Sequence, residues 1–404
     1  MDTQNRELAF SFTGNGLEYF KIWIVNVLLT IVTLGIYSAW ATVRTKRYFY
    51  GNTWLDGANF EYHATPKQIL FGRLIAVVAL GIYLLLSNVN PLAGVVLLGV
   101  LYLFMPWVVW RGLQFNARMS SYRNVRFSFE GRLLDAYKVL LFIPAVAFLI
   151  PTMLAGGGGI GAILKEGADP FELASTLMLA SGSGFLIVYL LFPYLQQAFT
   201  HYYLNDSRYG QGRFSAGLAT MDYYKIYLKW TLLGMAVFAV AGVLVVLLGG
   251  GISSGIFLRG SSTDGSATAL MLGGMVLLVY IPFAAVGLFL QAYLRTRLRN
   301  YAFNQVQLKA QVFPPLIPAA LRSTMSAATL WETYLGNALL MLVTLGLAYP
   351  WVKVRLARYT AASTKVLAYE DFSGFVTQQQ QNQSALGAEL GDAFDLDMGA
   401  GIGA

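Results

Sequence analysis

Few residues of this 404-residue chain are of types that carry acid–base, nucleophilic or metal chemistry. The sequence contains no cysteine and two histidines, His63 and His201. A metal site built on a histidine needs further nitrogen or carboxylate ligands at defined spacing, and neither histidine has them nearby in the sequence. Thiolate chemistry is therefore excluded, and we expect no catalytic residue, no metal site and no cofactor.

The glycine runs and the apolar segments also lack chemical groups. The runs 156–159 and 249–251 have no following Lys-Ser/Thr pair, which a phosphate-binding loop requires, so we interpret them as flexible turns. No acid or base lies deep in an apolar segment. Because ionisable groups inside a membrane usually mark ion or proton pathways, this composition counts against a proton-driven transporter.

Uncharged polar residues lie near two glycines that divide apolar segments. Gly35 and Gly346 each follow a Thr-Leu pair in mid-segment, where a helix can break. These polar residues either form hydrogen bonds between helices or line a path through the membrane, and packing is the preferred interpretation. They are Asn26, Thr30, Thr33, Asn337 and Thr344.

Basic and aromatic residues follow each of these two segments in a similar order. Such residues anchor helix ends at the membrane interface, and clustered arginines also bind anionic lipid headgroups. The sequence leaves both roles open. The residues are Trp40, Arg44, Arg47 and Tyr48 in the first set, and Trp351, Arg355, Arg358 and Tyr359 in the second.

Composition indicates the class of protein. Hydrophobic residues make up 56% of the chain and charged residues 12%, whereas a soluble domain has roughly 25% charged residues. A polytopic membrane protein fits these values. A span needs about 20 apolar residues, and the long stretch 74–110 divides at a predicted turn, 88–91, which gives eight apolar segments. The stretches are 22–43, 74–110, 139–164, 173–205, 230–258, 267–294 and 333–352.

The positive charges predict orientation. Nearly all of the 28 lysines and arginines lie in five clusters, and loops rich in such residues stay in the cytoplasm. Eight complete crossings would export the last cluster, so we predict that both termini are cytoplasmic and that two segments do not cross. The net charge of +8 thus reports orientation, and we expect no nucleic-acid partner. The clusters are 44–73, 111–138, 208–229, 295–322 and 353–365.

Internal similarity predicts the architecture. The sequence 28–40 resembles 340–351, and aromatic openings recur before the other segments. We interpret residues 1–377 as a membrane domain of five degenerate helical-hairpin repeats. The fold class is then an all-α polytopic protein with about six full transmembrane helices and two re-entrant or interfacial hairpins, the first and the fifth. The alternative is eight true spans. The repeats are 10–59, 60–126, 127–213, 214–312 and 313–375.

Two further regions are assigned from composition. The Asp56-Gly57 pair between aromatic runs predicts a small cytoplasmic β-element, because this dipeptide favours hairpin turns; interfacial anchoring by the aromatic residues is the alternative. Residues 378–404 are rich in Gln, Gly, Ala and Asp and predict a flexible acidic cytoplasmic tail. The tail is either solvated or docked on the basic inner face.

The chain also resembles a known family. The stretches that carry the resemblance are 18–26, 33–40, 47–53 and 60–66, together with the ending 392–397, and they are similar to the YjgN-like family of bacterial inner-membrane proteins, which is defined by a domain of unknown function. Thr42 departs from the pattern, since a basic residue is expected there. The resemblance implies an inner-membrane location and supplies no activity, substrate or catalytic residue.

Two classes of function are consistent with these observations. The first is a non-enzymatic membrane-organising or scaffold protein whose partners are membrane lipids and other copies of itself, since the short terminal hairpins need a surface to pack on. The alternative is a channel or transporter for a small solute or lipid. A membrane enzyme is the least favoured class, because no acid–base pair is evident.

Overall fold

A computed structural model describes residues 6–151, 153, 169–258, 265–310, 317–369 and 374–381. In these residues the order strand–helix–helix–strand occurs five times in succession. The segments are β1 (Arg6–Phe12), α1 (Gly16–Val32), α2 (Ser38–Gly51), β2 (Thr53–Leu55); β3 (Ala58–Tyr62), α3 (Pro66–Val89), α4 (Pro91–Arg118), β4 (Ser120–Tyr122); β5 (Val125–Phe129), α5 (Leu133–Pro151), α6 (Pro170–Asn205), β6 (Ser207–Tyr209); β7 (Gly212–Ala216), α7 (Thr220–Leu258), α8 (Gly265–Asn304), β8 (Val306–Lys309); and β9 (Ala319–Ser323), α9 (Ala327–Val343), α10 (Tyr349–Ala362), β10 (Thr364–Ala368). A last helix, α11, covers 374–381.

The ten strands form one closed antiparallel barrel. Their order around it follows the chain, and β10 pairs with β1 to complete the circle. Strand directions alternate, so all tight turns lie at one rim, which we call the turn rim. All five helical hairpins leave from the opposite rim, which we call the helix rim. The barrel therefore holds the ends of ten helices in a ring.

The barrel is apolar inside and charged outside. Its interior is lined by side chains such as Leu8, Tyr122, Val125 and Tyr209, and none of these four is more than 6% exposed. Ion pairs cross the outer surface, among them Arg208–Glu130 at 2.7 Å. A transmembrane barrel has the reverse arrangement, and its strands need about 9–11 residues. The short strands and charged exterior of this barrel therefore suit an aqueous compartment.

One carboxylate bridges the strands where the barrel closes. Glu7 on β1 pairs with Lys365 on β10 at 2.7 Å and with Arg322 on β9 at 3.4 Å. The hydrogen bond from Lys365 and its charge hold the pKa of Glu7 below the ordinary value. Glu7 therefore stays ionised down to lower pH than a free glutamate, and it links the first and last strands of the chain.

The predicted fold class was wrong in two respects. The chain is not all-α, since the interhelical segments form a closed ten-strand barrel. Four helices among the described residues are long and apolar enough to cross a membrane, whereas six were predicted; the third and fourth segments each supply one. The four are Pro66–Val89, Pro91–Arg118, Leu133–Pro151 and Thr220–Val243.

The barrel is not predicted from the sequence, and the reason is physical. Several strands are three residues long, as in Thr53–Leu55 and Ser120–Tyr122, which is too short to establish an alternating pattern. The local hairpin turn was foreseen, and Asp56 and Gly57 adopt φ of 46° and 76° between β2 and β3. Closure, however, pairs residues from opposite ends of the chain and has no local signal.

The first and last hairpins have the same turn geometry. In each, a five-residue turn joins two helices, and Leu34-Gly35 and Leu345-Gly346 adopt positive φ, with 92° at Gly35 and 90° at Gly346. The two leucines are 94% and 92% exposed. Helices α1 and α9 have 17 residues each, or about 25 Å of rise. Both turns thus present apolar side chains far from the barrel.

Two predicted turns have different outcomes. Asn90 separates α3 from α4, so the turn predicted from the polar stretch 88–91 is present. The side chain of Asn90 accepts a hydrogen bond from the backbone N–H of Leu92 at 2.9 Å. The glycine run 249–251, interpreted as a flexible turn, instead lies inside α7. Inside an apolar membrane segment the backbone groups have no water to bond, so the run stays helical although glycine is a weak helix former. The run 156–159 lies outside the described residues.

Helix α11 covers the turn rim. Phe375 and Val376 join the interior core, and Gln379 accepts a hydrogen bond from the backbone N–H of Gln211 at 2.7 Å. Gln380 donates to the backbone carbonyl of Arg123 at 2.8 Å. Residues 378–381, assigned to the tail from sequence, are therefore helical and docked, while 382–404 lie outside the described residues.

Substituting Gly210 is expected to release α11. Gly210 has φ of 56°, and an added Cβ would lie 2.4 Å from Oε1 of Gln379. Gly210→Ala should cost about 1–2 kcal/mol through the left-handed backbone and displace Gln379. We expect a non-specific protease to cut faster within 374–381, as measured by mass spectrometry of the fragments. In Gly217→Ala the added Cβ meets open space, so cleavage should keep the parental rate; equal rates in both variants would contradict the docking role of Gly210.

Candidate functional site

A large groove lies between the first and last hairpins. The start of α1 forms one wall and the α9–α10 hairpin forms the other, enclosing about 1020 Å³. The groove runs from the turn residue Leu345 to Arg358 near the helix rim. Its far end is apolar and its near end carries Asn337, Arg355 and Arg358. This polarity matches an amphiphilic molecule with an anionic head.

Arg358 and Arg355 line the near end of the groove. Arg358 donates to the backbone carbonyl of Gly14 at 3.1 Å, and Arg355 approaches Oδ1 of Asn337 at 3.5 Å. Both arginines are exposed, and within the described part of the chain neither forms an ion pair. Each guanidinium has five N–H donors, so donors remain free for an anion.

Trp351 forms the middle of the groove wall by packing on a glycine. An added Cβ at Gly16 would lie 2.3 Å from the Trp351 ring, and the ring of Phe20 is 5.2 Å away. A side chain at Gly16 would therefore push the last hairpin off α1. Neither Gly16 nor Phe20 is predicted from the sequence, because only the contact across the closed ring gives them a role.

The threonines near the turns form hydrogen bonds within their own hairpins. The hydroxyl of Thr344 donates to the carbonyl of Leu340 and accepts from the N–H of Ala348. Thr33 has the same two partners in the first hairpin, the carbonyl of Leu29 and the N–H of Tyr37. Both threonines thus satisfy backbone groups that the turn leaves open.

The other polar candidates of the first hairpin are near neighbours on α1. The hydroxyl of Thr30 donates to the carbonyl of Asn26 at 2.6 Å. The side chain of Asn26 is 4% exposed, and its amide atoms have no hydrogen-bond partner among the described residues. The corresponding Asn337 lies in the groove beside Arg355, whereas the side chain of Asn26 has no such polar partner in the residues that the structure describes.

The basic and aromatic residues of the first set lie on α2. Trp40 is half-buried and stacks on Tyr37, Arg44 is exposed, and Arg47 donates to the carbonyl of Ala64 at 3.1 Å. Arg47 thereby ties the first hairpin to the second, as Arg358 ties the fifth to the first. Thr42, where a basic residue was expected, accepts a hydrogen bond from Arg73 of α3 at 2.7 Å.

The two tyrosines fasten helix ends. The hydroxyl of Tyr48 accepts from the N–H of Asn15 at 2.8 Å and donates to its carbonyl at 2.9 Å. The hydroxyl of Tyr359 makes the same pair of bonds with Ser326, at 2.8 and 2.9 Å. Each tyrosine thus joins the returning helix to the residue that caps the outgoing one.

The histidines lie far from this groove in the fold. His63 forms a 2.7 Å hydrogen bond with Ser121 at the start of the second hairpin. His201 lines a separate cavity with Asp135 and Asp206, and burial raises the pKa of Asp206. Within the described residues no three His, Cys, Asp or Glu side chains form a group able to hold a metal ion.

Comparison with known proteins assigns the chain to a family. Residues 7–393 match the family described as "Bacterial protein of unknown function (DUF898)". The chain belongs to this family. The YjgN-like resemblance read from the sequence is thereby confirmed.

The relatives cover nearly the whole chain. "Inner membrane protein YjgN" of Salmonella typhimurium is 29% identical over 380 residues, which is 90% of this chain and 89% of the relative. The proteins of the same name from Escherichia coli O157:H7 and Escherichia coli K12 are each 26% identical, with 92% of both chains covered. No solved structure matches the chain. These names and the four apolar helices support the inner-membrane localisation predicted from the sequence.

Proposed function

We propose that this chain is a non-enzymatic, membrane-organising protein that acts as a homo-oligomer in the inner membrane. The observation that carries the proposal is the exposure of the helical hairpins. In the apolar window of α3, no residue is buried. Val77, Val78 and Leu85 are all more than half exposed. A surface of this kind is stable only when lipid or another copy covers it.

The proposed lipid partner includes anionic headgroups. Arg355 and Arg358 lie at the near end of the groove, and Leu340, Val343 and Leu347 continue its wall toward the turn. Because arginine pairs well with phosphate, the groove suits a phospholipid with its head near the barrel. This arrangement supports lipid binding.

We infer that the five strand–helix–helix–strand segments are copies of one unit. Four returning helices use a tyrosine hydroxyl to bond the backbone just before the outgoing helix of the same segment. Besides Tyr48 and Tyr359, Tyr202 donates to the carbonyl of Arg132 at 3.0 Å, and Tyr301 accepts from the N–H of Ala219 at 2.9 Å. Duplication of a unit explains why the same bond recurs.

We also propose that the barrel and both termini face the cytoplasm. The supporting observation is the position of the charges: four of the five returning helices carry an arginine toward the helix rim, namely Arg47, Arg118, Arg299 and Arg358. Helix ends rich in arginine remain on the cytoplasmic side. The charged exterior of the barrel is consistent with the same compartment.

Cross-linking of single-cysteine variants tests the oligomer. The chain has no cysteine, so Val77→Cys places one thiol on the exposed face of α3. Treating membranes with a bis-maleimide is expected to give a dimer band for Val77→Cys. In contrast Ala79→Cys should give little, because Ala79 is half-buried on α3. A homo-oligomer would be contradicted if neither variant gave a dimer and each native nanodisc held a single chain of 44.3 kDa.

The second candidate is a transporter for a lipid or small solute. The observation that favours it is the length of the groove, which extends from Leu345 at the hairpin turn to Arg358 near the helix rim. Transfer of a fluorescent phospholipid between the leaflets of proteoliposomes distinguishes the candidates. A membrane-organising protein leaves the transfer rate at that of empty liposomes, and a rise that Arg355→Gln abolishes would favour transport instead.

A further inference from the structure

A second cavity lies on the opposite side of α10 from the groove. It has a volume of about 710 Å³ and is bounded by α2, α8, α10 and the helix rim of the barrel, where Phe10 and Thr364 form its floor. Three cations line it: Arg295 and Arg299 from α8 and Lys353 from α10. The lining contains no acidic residue, so the cavity is positively charged.

The guanidinium of Arg299 is the most enclosed of these charges. Nη2 donates to the hydroxyl of Thr364 at 2.7 Å, and the guanidinium lies 4.3 Å from the ring centroid of Phe303. Its Nε is buried and has no hydrogen-bond partner among the described residues. Arg299 is half-buried, and enclosing part of its charge without a counter-ion is costly, because a charge removed from water needs an opposite charge or several acceptors.

The two neighbouring cations increase this cost. Arg295 lies one helical turn before Arg299, and like charges at that spacing repel. The hydroxyl of Tyr334 accepts a hydrogen bond from Arg295 at 2.9 Å, and Lys353 lies 5.3 Å from the ring centroid of Tyr349. In the part of the chain that the structure describes, none of the three forms an ion pair. An anion between them would remove the repulsion.

The apolar part of the cavity lining indicates which kind of anion the cavity would bind. Phe49, Val352 and Leu356 face the same cavity, and they favour an apolar portion attached to the charge. Arg299 lies five residues before the end of α8 at Asn304, which is about 8 Å of helical rise from the rim, and its side chain reaches Thr364 there. This level suits a phospholipid head at the membrane surface on the barrel side.

We propose that this cavity binds the phosphate group of an anionic phospholipid through Arg295, Arg299 and Lys353. Phosphate oxygens accept paired hydrogen bonds from a guanidinium, and the ammonium of Lys353 supplies a further charge. The apolar wall holds the start of the acyl chains. The site shares no side chain with the Arg355–Arg358 groove. A test of lipid binding at this site therefore does not decide the function proposed above.

Native mass spectrometry of the full chain with added phosphatidylglycerol tests the site. Arg295→Gln and Lys353→Gln are each expected to weaken the affinity about tenfold, the usual loss for one charge-assisted hydrogen bond. Arg297→Gln is the matched control, since Arg297 is on the same helix, is exposed and lies over Tyr293 instead. Arg299→Gln should weaken binding most, while Arg299→Lys keeps the charge and should recover part of it.

Several outcomes would overturn the proposal. Equal affinity in Arg297→Gln, Arg295→Gln and Lys353→Gln would show that the cavity is not the site. Equal affinity for phosphatidylcholine would exclude recognition of an anionic lipid, and complete displacement by millimolar inorganic phosphate would identify free phosphate as the ligand. A loss in Arg355→Gln alone would leave the groove as a lipid site and remove this cavity. Arg295 and Lys353 make no bond to the barrel, so their variants keep the test valid if Arg299→Gln fails to fold.

Discussion

Tyr209→Ala is expected to lower the free energy of unfolding by about 3–5 kcal/mol, the usual cost of truncating a large buried aromatic side chain. Tyr209 lies inside the barrel, is 4% exposed and contacts the rings of Tyr122, Phe127 and Phe375. Its removal would leave a cavity between β5, β6 and α11. Because the barrel holds all helix ends, the loss should affect the whole molecule.

The hydroxyl of Tyr209 contributes a smaller part. It donates to the backbone carbonyl of Tyr122 at 3.1 Å, and burial raises the pKa of Tyr209, so the donor stays protonated at neutral pH. Tyr209→Phe should therefore cost only about 1 kcal/mol. Urea unfolding in detergent, followed by near-ultraviolet circular dichroism, measures both variants.

The control for this prediction is an exposed tyrosine on a membrane helix. Tyr102 on α4 is 49% exposed, and Tyr102→Ala should change stability by no more than about 0.5 kcal/mol. If Tyr209→Ala and Tyr102→Ala had the same unfolding midpoint, the barrel interior would not be the element on which folding depends.

Cysteine labelling should give an all-or-none result for orientation. Ser11 is an exposed residue of barrel strand β1, and Asn88 is exposed at the turn between α3 and α4. With the barrel in the cytoplasm, a membrane-impermeant maleimide added to intact spheroplasts should label Asn88→Cys and leave Ser11→Cys unlabelled. The physical cause is the arginine-rich helix ends, which resist transfer across the membrane.

The labelling experiment contains its own controls. Since the parental chain has no cysteine, it should give no signal. Permeabilising the spheroplasts should make Ser11→Cys react, which shows that its thiol is accessible. Labelling of Ser11→Cys before permeabilisation, with protection of Asn88→Cys, would reverse the proposed orientation and place both termini outside.

The groove shows how much of a site a sequence can provide. Arg355, Arg358 and Trp351 were singled out because basic and aromatic residues at helix ends have a known physical preference, and all three line the groove. Tyr48 and Tyr359 were singled out by the same pattern, but their hydroxyls bond backbone groups at helix starts. The residue types identified these positions but did not distinguish the residues that line the groove from those that bond backbone groups.

Other site residues had no local signal. Gly16 and Phe20 belong to the groove because the last hairpin packs on the first one. Arg299 looked like one more cation at a helix end, and its enclosure depends on Thr364 of β10, which is 65 positions away along the chain. Contacts between residues tens or hundreds of positions apart cannot be read from spacing.

The sequence by itself determined the class of protein and the position of several turns. Apolar runs long enough to span a bilayer, the polar break at Asn90 and the hairpin turn at Asp56-Gly57 are local properties, governed by hydropathy and backbone preference. The barrel was decided only by tertiary structure. Its strands have three to seven residues, too few to be stable alone, and they become strands because β1 and β10 meet and close a shared apolar interior.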